Sequence, residues 1–288
     1  LDKVDLTIKK GEIHCLMGEN GCGKSTLIKI ISGFYRPDGG SITFEGKEYE
    51  RLSIAESIGL GIQVIYQDMS IFPNLTVAEN IAINNELYNH RKLVNWKSVK
   101  SIAKEALDHI GIELPLQAVV GELSVADKQL IAIARAILNN SKLIIMDEPT
   151  SALTRKEVDK LFKVIRQLQK EGISTLFVSH KLDEVFEIAD QFTVFRNGKL
   201  VVADSAKNIN DEQFVYYMTG RKLEEAAFTP EKIDHDRAIL KVENLGLTNG
   251  FEKISFEIHP GEILGITGLL GSGRTELAKT LFGLYSAT

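Results

Sequence analysis

Long hydrophobic runs are missing from this chain of 288 residues; no apolar stretch approaches the ~18 residues that a membrane-spanning helix requires. Any role at a membrane must therefore come through a partner. Cysteine is nearly absent too. Cys15 and Cys22 are too few and too close for a disulfide framework, which points to a reducing compartment. There is no excess of positive charge: the net charge of −5 argues against a nucleic-acid surface, and the basic run His90-Arg91-Lys92 reads as a short solvated loop. No segment has the pattern of a secretory signal. What the chain does have is 44% hydrophobic and 25% charged residues, enough for a packed core, at a length that suggests about two domains.

It also has an internal repeat. Residues 18–25 read GENGCGKS and residues 268–275 read GLLGSGRT. The flanks agree without gaps at Lys3, Ile8, Gly11, Glu12, Ile13, Gly18, Gly21, Gly23, Leu27, Lys29, Gly33 and Tyr35, each matched within 253–285. Both copies read strand, Gly-Glu turn, strand, glycine loop, helix, glycine. The second is preceded by an alternating strand over 239–245, the first is not, and the second stops soon after its first helix. The expectation is a fragment: residues 1–220 form a nearly whole domain lacking its first strand, the charged stretch 221–237 is a linker, and 238–288 open a second, altered domain.

The first loop follows an apolar strand, Ile13 to Met17, and precedes a helix from Lys24 to Ile31 ended by Gly33. Glycine loops at helix N-termini surround phosphates with backbone N–H groups. Gly21 and Gly23 permit close approach. Lys24 places an ammonium near the terminal phosphates, and Ser25 offers a hydroxyl to Mg²⁺. Cys22 is either a small filler or a thiol activated by the helix end and shielded by ATP. In the second loop Arg274 stands where lysine would be.

Short β-rich runs alternate with helical patterns, predicting a parallel sheet with crossover helices. Residues 143–148 read LIIMDE, a buried strand releasing two acids at the sheet edge where ligands bind. Asp147 suits Mg²⁺ and Glu148 suits activation of water. Two further strands end in polar residues: 62–66 leads to Gln67, and 175–179 leads to His180. Residues 96–110 carry an apolar helical stripe that includes Trp96. Thr154 and Glu157 form a capping box for a helix over 155–170 with Gly172 just past its end. Arg196-Asn197-Gly198-Lys199 reads as a hairpin.

Taken together, GENGCGKST (18–26), YQD around Gln67, LSVADKQ (123–129), LIIMDEPTSALT (143–154) and VSH ending at His180 resemble the ABC transporter ATPases, in family order. The doubled cassette, MTGRKL at 218–223 and GLLGSGRTE resemble the branch serving bacterial monosaccharide importers of the ribose and galactose type. The resemblance implies an α/β P-loop NTPase core with an antiparallel β subdomain and a helical subdomain over about 76–130. It implies ATP held by Asn20, Gly21, Cys22, Gly23, Lys24, Ser25 and Thr26, with Mg²⁺ served by Ser25, Gln67 and Asp147. Glu148 would be the base, His180 would meet the γ-phosphate, Gln67 would begin a loop sensing the membrane subunit, and Ser151 to Thr154 would cross to the other cassette.

The implied partners are integral-membrane permease subunits and, indirectly, a solute-binding protein. The chain would lie peripherally on the cytoplasmic face of the plasma membrane, its cassettes pairing within the full chain or as a homodimer. Two departures concern the same composite site. In the signature, Ser124 is kept while Val125 and Ala126 replace the usual glycines. The second loop, Gly268, Gly271, Gly273, Arg274 and Thr275, carries arginine, whose planar fork differs from an ammonium. One site would then hydrolyse ATP and the other chiefly bind it. A nucleoside importer, a soluble twin-cassette factor acting on ribosomes and a binding module without turnover are the alternatives. The short mixed-charge linker speaks against the ribosomal factor, and Glu148 with His180 against the binding module.

Overall fold

The computed structural model describes residues 1–88, 94–221, 237–269 and 271–286, with backbone alone for 84–88. The His90-Arg91-Lys92 run and most of the 221–237 linker lie outside the described residues. The chain divides into two compact units, Leu1–Leu223 and Glu224–Thr288.

In the first unit the elements are, in order, β1 (Ile13–Gly18), α1 (Lys24–Ile31), β2 (Ile42–Phe44), β3 (Lys47–Tyr49), α2 (Ile54–Gly59), β4 (Ile62–Ile65), α3 (Val77–Tyr88), α4 (Trp96–His109), α5 (Val125–Ile137), β5 (Leu143–Asp147), α6 (Arg155–Lys170), β6 (Ser174–Val178), α7 (Leu182–Ile188), β7 (Gln191–Arg196), β8 (Lys199–Ser205) and α8 (Asp211–Thr219). The main sheet runs β4-β5-β6-β1-β7-β8. Its first five strands are parallel, and β8 turns back antiparallel through Asn197 (φ 51°) and Gly198 (φ 77°). The antiparallel content expected beside this core is the two-stranded β2–β3 ribbon.

β1 and β6 are buried along their whole length, as strands covered on both faces must be, and so read as continuous apolar runs. One face packs on α5, α6 and α7 through residues such as Ile131, Ile165, Phe177 and Val185; α1 covers the other with Ile28 against Leu16, Ile145 and Phe195. Helices α3, α4 and α5 share buried residues Ile81, Ala103, Leu107 and Leu130. The capping box of α6 is formed, with Glu157 Oε2 accepting from the Thr154 N–H and hydroxyl at 2.7 Å. Trp96 departs from its expected stripe. It is 56% exposed, because at the first turn of α4 it lies beyond the buried face made by Val99, Ala103 and Ala106.

Residues 3–9 keep the in–out alternation of a strand, with Val4, Leu6 and Ile8 against the α1 side of the core, but form no ladder. In the matching stretch of the second unit, β10 (Phe251–Ile258) pairs antiparallel with β9 (Leu240–Leu247), and among the described residues no strand pairs with 3–9.

The second unit differs in the opposite place. Residues 262–269, matched to β1, make no strand, and Ile263 and Leu269 are each 86% exposed. β1 is held between β6 and β7, and the described residues of the second unit supply no counterpart to either. The glycine loop and helix α9 (Arg274–Leu281) form nevertheless.

Candidate functional site

Because β1, β4, β5 and β6 are parallel, their carboxyl ends meet at one edge of the sheet. The glycine loop leaves β1 there, Gln67 follows β4, Asp147 and Glu148 close β5, and His180 follows β6. The loop backbone needs its glycines. At Gly18 (φ 149°) a Cβ would stand 2.4 Å from both Cys22 Sγ and the Phe195 carbonyl oxygen. Gly21 has φ 82°, and its missing Cβ faces open space. Gly23 (φ 110°) opens α1, which has no side-chain cap and no acidic residue in its first turn, so its N–H groups and dipole are available to an anion.

Lys24 is 6% exposed, and its ammonium donates to the Gly18 carbonyl at 2.6 Å and the Glu19 carbonyl at 3.0 Å. Asn20, Gly21 and Ser25 are exposed along the loop, and Thr26 is half-buried. For Cys22 the structure favours the filler of the two sequence readings. Its side chain is 4% exposed and packs in the core cluster of Leu16, Ile28 and Phe195, and its N–H donates to the Glu19 carbonyl. It is a filler under the loop, not a thiol presented to a nucleotide.

Beside the loop a cavity of about 510 Å³ is lined by Ser25, Lys29, Tyr66, Gln67, Asp68, Ser70 and Asp147. The structure thus brings Ser25, Gln67 and Asp147 to one pocket, though they are far apart in sequence. Burial pushes the Asp147 carboxyl above its ordinary range, the neighbouring Glu148 pushes it further, and Lys24 and Lys29 pull it back. The donors are a hydroxyl, an amide and carboxylates, an oxygen set that suits a hard divalent cation such as Mg²⁺.

Glu148 holds a left-handed backbone (φ 48°), fixed by its N–H donating to the Val178 carbonyl at 3.1 Å. Its Oε1 lies 3.3 Å from His180 Nδ1. The turn carrying His180 is braced from below: buried Ser179 donates to Glu184 at 2.6 Å, and Lys181 reaches the Thr150 carbonyl at 3.1 Å.

The signature residues lie outside this pocket. Ser124 caps α5, accepting from the Asp127 N–H at 3.1 Å and donating to Asp127 Oδ2 at 2.9 Å. Val125 is exposed and Ala126 is buried. In the second unit, Gly271 (φ 79°) and Gly273 (φ 85°) repeat the first loop's geometry, while Arg274 and Thr275 are exposed. Glu276 places a carboxylate in the first turn of α9, where the first loop has Thr26.

Sequence reading missed Lys29, Asp68 and Ser70 in the pocket, Asp127 on Ser124, and Glu276. Only Asp127 and Glu276 carried a legible signal, an acid within three residues of a helix start.

Comparison with known proteins agrees with this geometry. The ABC transporter family profile matches residues 1–151. A ribose import ATP-binding protein of Caldanaerobacter subterraneus is 42% identical over 288 residues, all of this chain and 58% of the relative. A galactose/methyl galactoside import ATP-binding protein of Photobacterium profundum is 44% identical over 285 residues, 99% of this chain and 57% of the relative. The chain therefore spans little more than half the length of these relatives.

Among solved structures, the ADP conformation of MJ1267, an ATP-binding cassette of an ABC transporter, matches with a TM-score of 0.67 and 28% identity, covering 75% of this chain and 91% of that one. The dimeric post-hydrolysis state of the cassette MJ0796 bound to ADP and Pi matches with a TM-score of 0.61 and 26% identity, covering 72% and 90%. An α/β P-loop cassette with these motifs at one sheet edge, matched by the family profile over half its length, belongs to the ABC transporter ATP-binding family.

Proposed function

We propose that the chain is part of an ATP-hydrolysing subunit that energises import of a monosaccharide through a membrane permease. The observation that carries the mechanism is the meeting of Ser25, Gln67 and Asp147 in one pocket beside a phosphate loop, with Glu148 and His180 paired at the adjoining strand ends. The sugar reading rests on relatives named for ribose and galactose import.

In this reading the backbone of the 21–26 loop and the Lys24 ammonium hold the terminal phosphates. Ser25, Gln67 and Asp147 would hold Mg²⁺, which would supply positive charge against the phosphates. Glu148 orients a water and takes its proton, and its fixed backbone aims the carboxylate. His180, 3.3 Å from Glu148, holds that carboxylate in place and reaches toward the terminal phosphate. Among the described residues no helix is long and apolar enough to cross a membrane, so permease subunits would provide the pathway. The first unit is the working cassette. The second, with Arg274 and Glu276 at its loop, chiefly binds.

The test has two arms. Calorimetry of ADP on this chain, with Mg²⁺ and with EDTA, should show binding that Mg²⁺ strengthens and that Ser25→Ala weakens only when Mg²⁺ is present. In the source cell, removing the gene should abolish uptake of one monosaccharide. Normal uptake of ribose and galactose would retire the sugar assignment, and ADP binding indifferent to Mg²⁺ would retire the site.

A further inference from the structure

The pocket wall formed by Gln67, Asp68 and Ser70 belongs to a loop with an unusual backbone. Met69 (φ 59°) and Ser70 (φ 43°) are consecutive non-glycine residues in the left-handed region. Such residues persist only where their surroundings over-determine them. Here the restraint comes from 65 residues away. Arg135 Nη1 donates to the Ser70 carbonyl at 2.9 Å, and Nη2 donates to the Met69 carbonyl at 3.2 Å. One planar fork thus captures both carbonyls of the strained pair, a geometry lysine cannot reproduce. The Met69 N–H closes the turn on the Tyr66 carbonyl at 2.7 Å. Past the strained pair, fully buried Asn80 holds Phe72 at both its N–H (2.8 Å) and its carbonyl (2.9 Å).

Arg135 belongs to α5, the helix capped by Ser124. The same helix sends Gln129 Nε2 to the carbonyl of Pro149, beside Glu148, at 3.4 Å. A single rigid element therefore touches the loop bearing Gln67 and the loop bearing Glu148.

We propose that Arg135 is a positioning residue for Mg²⁺-nucleotide: it clamps Met69 and Ser70 so that Gln67 and Ser70 face Ser25 and Asp147, and it ties that wall to the placement of α5. The inference rests on the nucleotide reading of this pocket. It predicts a split in binding. The phosphate loop takes ADP without Arg135, but the strengthening by Mg²⁺ requires it.

The experiment uses the whole chain, with ADP calorimetry in Mg²⁺ and in EDTA, and hydrogen exchange of residues 66–72 against β1 and β6 as internal standards. Arg135→Gln should lose about tenfold or more of the Mg²⁺-dependent gain, the scale of supporting partners at metal sites, while affinity in EDTA stays near wild type. Exchange should quicken over 66–72 and not in β1 or β6. Arg135→Lys, the milder change, should fold normally and recover only part of the gain. Three results would overturn the inference: an unchanged Mg²⁺ gain in both variants, an equal loss with and without Mg²⁺, or exchange quickened throughout the sheet. A wild-type chain that gains nothing from Mg²⁺ would instead bring down the nucleotide reading itself, and this inference with it.

Discussion

Replacing Lys24 by methionine isolates the ammonium. The stem is retained and stays packed, since Lys24 is 6% exposed, so any loss belongs to the charge. In the structure that charge donates to the Gly18 and Glu19 carbonyls at 2.6 and 3.0 Å. Hydrogen bonds to charged groups contribute roughly 1.5–3 kcal/mol, and an orphaned buried acceptor costs about 1–3 kcal/mol. Gly18 is buried and Glu19 is exposed, so water replaces the donor at Glu19 only. Lys24→Met should therefore lower stability by about 1–3 kcal/mol in urea unfolding.

For nucleotide the arithmetic differs. A phosphate taking this ammonium exchanges it away from two carbonyls, so the net gain is a difference between two charge-assisted contacts. That difference is of order 1.4–2.8 kcal/mol, about ten- to a hundredfold in ADP affinity. Calorimetry of both proteins decides. An affinity loss beyond a thousandfold would refute the exchange argument, and an unchanged affinity would remove Lys24 from the phosphate site.

Three further outcomes follow from the same geometry. In a full-length preparation Glu148→Gln should reduce ATP turnover by roughly 10²–10⁴-fold and spare nucleotide affinity; turnover within tenfold of wild type would move the base elsewhere. The Asp147 carboxyl is raised by burial first and by Glu148 second, so the folded chain binds its proton at higher pH than the unfolded chain does. Stability from this group should thus rise as pH falls through the raised value, while Mg²⁺ affinity, which needs the carboxylate, declines over that window; Asp147→Asn should flatten both profiles. Gly33→Ala forces φ 77° on an L-residue and brings its Cβ to 2.3 Å from the Ser53 carbonyl carbon, so about 2–4 kcal/mol should disappear from the unfolding free energy with the phosphate site left chemically intact.

Local features were legible in the sequence. The β1–loop–α1 unit, the Asn197-Gly198 hairpin, the Thr154–Glu157 cap and the polar ends of β4, β5 and β6 each depend on residues adjacent in the chain. The fold places Gln67, Asp147, Glu148 and His180 together because parallel strands share an edge, a consequence that alternating pattern already implies. What escaped depends on direction. Cys22 points inward because Leu16, Ile28 and Phe195 leave room beneath the loop, and nothing in GENGCGKS encodes that. Lys29 reaches the pocket from the second turn of α1, and Arg135 reaches the carbonyls of Met69 and Ser70 behind it from a helix in another layer. Such contacts are set by how layers stack.

The two copies separate what a short sequence fixes from what the fold must supply. Among the described residues their loops share backbone bonds, Cys22 to Glu19 and Ser272 to Leu269, Leu27 to Gly23 and Leu277 to Gly273, Phe34 to Lys29 and Leu284 to Lys279, while the Tyr35 to Lys29 bond occurs in the first copy alone. Some glycines repeat as well, φ 82° and 79° at Gly21 and Gly271, φ 77° and 85° at Gly33 and Gly283, whereas Gly18 (φ 149°) has no positive-φ match at Gly268. Yet the strand feeding the first loop is buried throughout, whereas residues 262–269 form none. The hydrogen bonds that these loops share are local, each closed between residues no more than five apart. The two loops differ also in their side chains. Lys24 lies folded against the loop and Thr26 is neutral, whereas Arg274 projects to solvent and Glu276 sets a negative charge where phosphate would approach. Where the two loops share their backbone bonds, the altered one differs in its charge pattern.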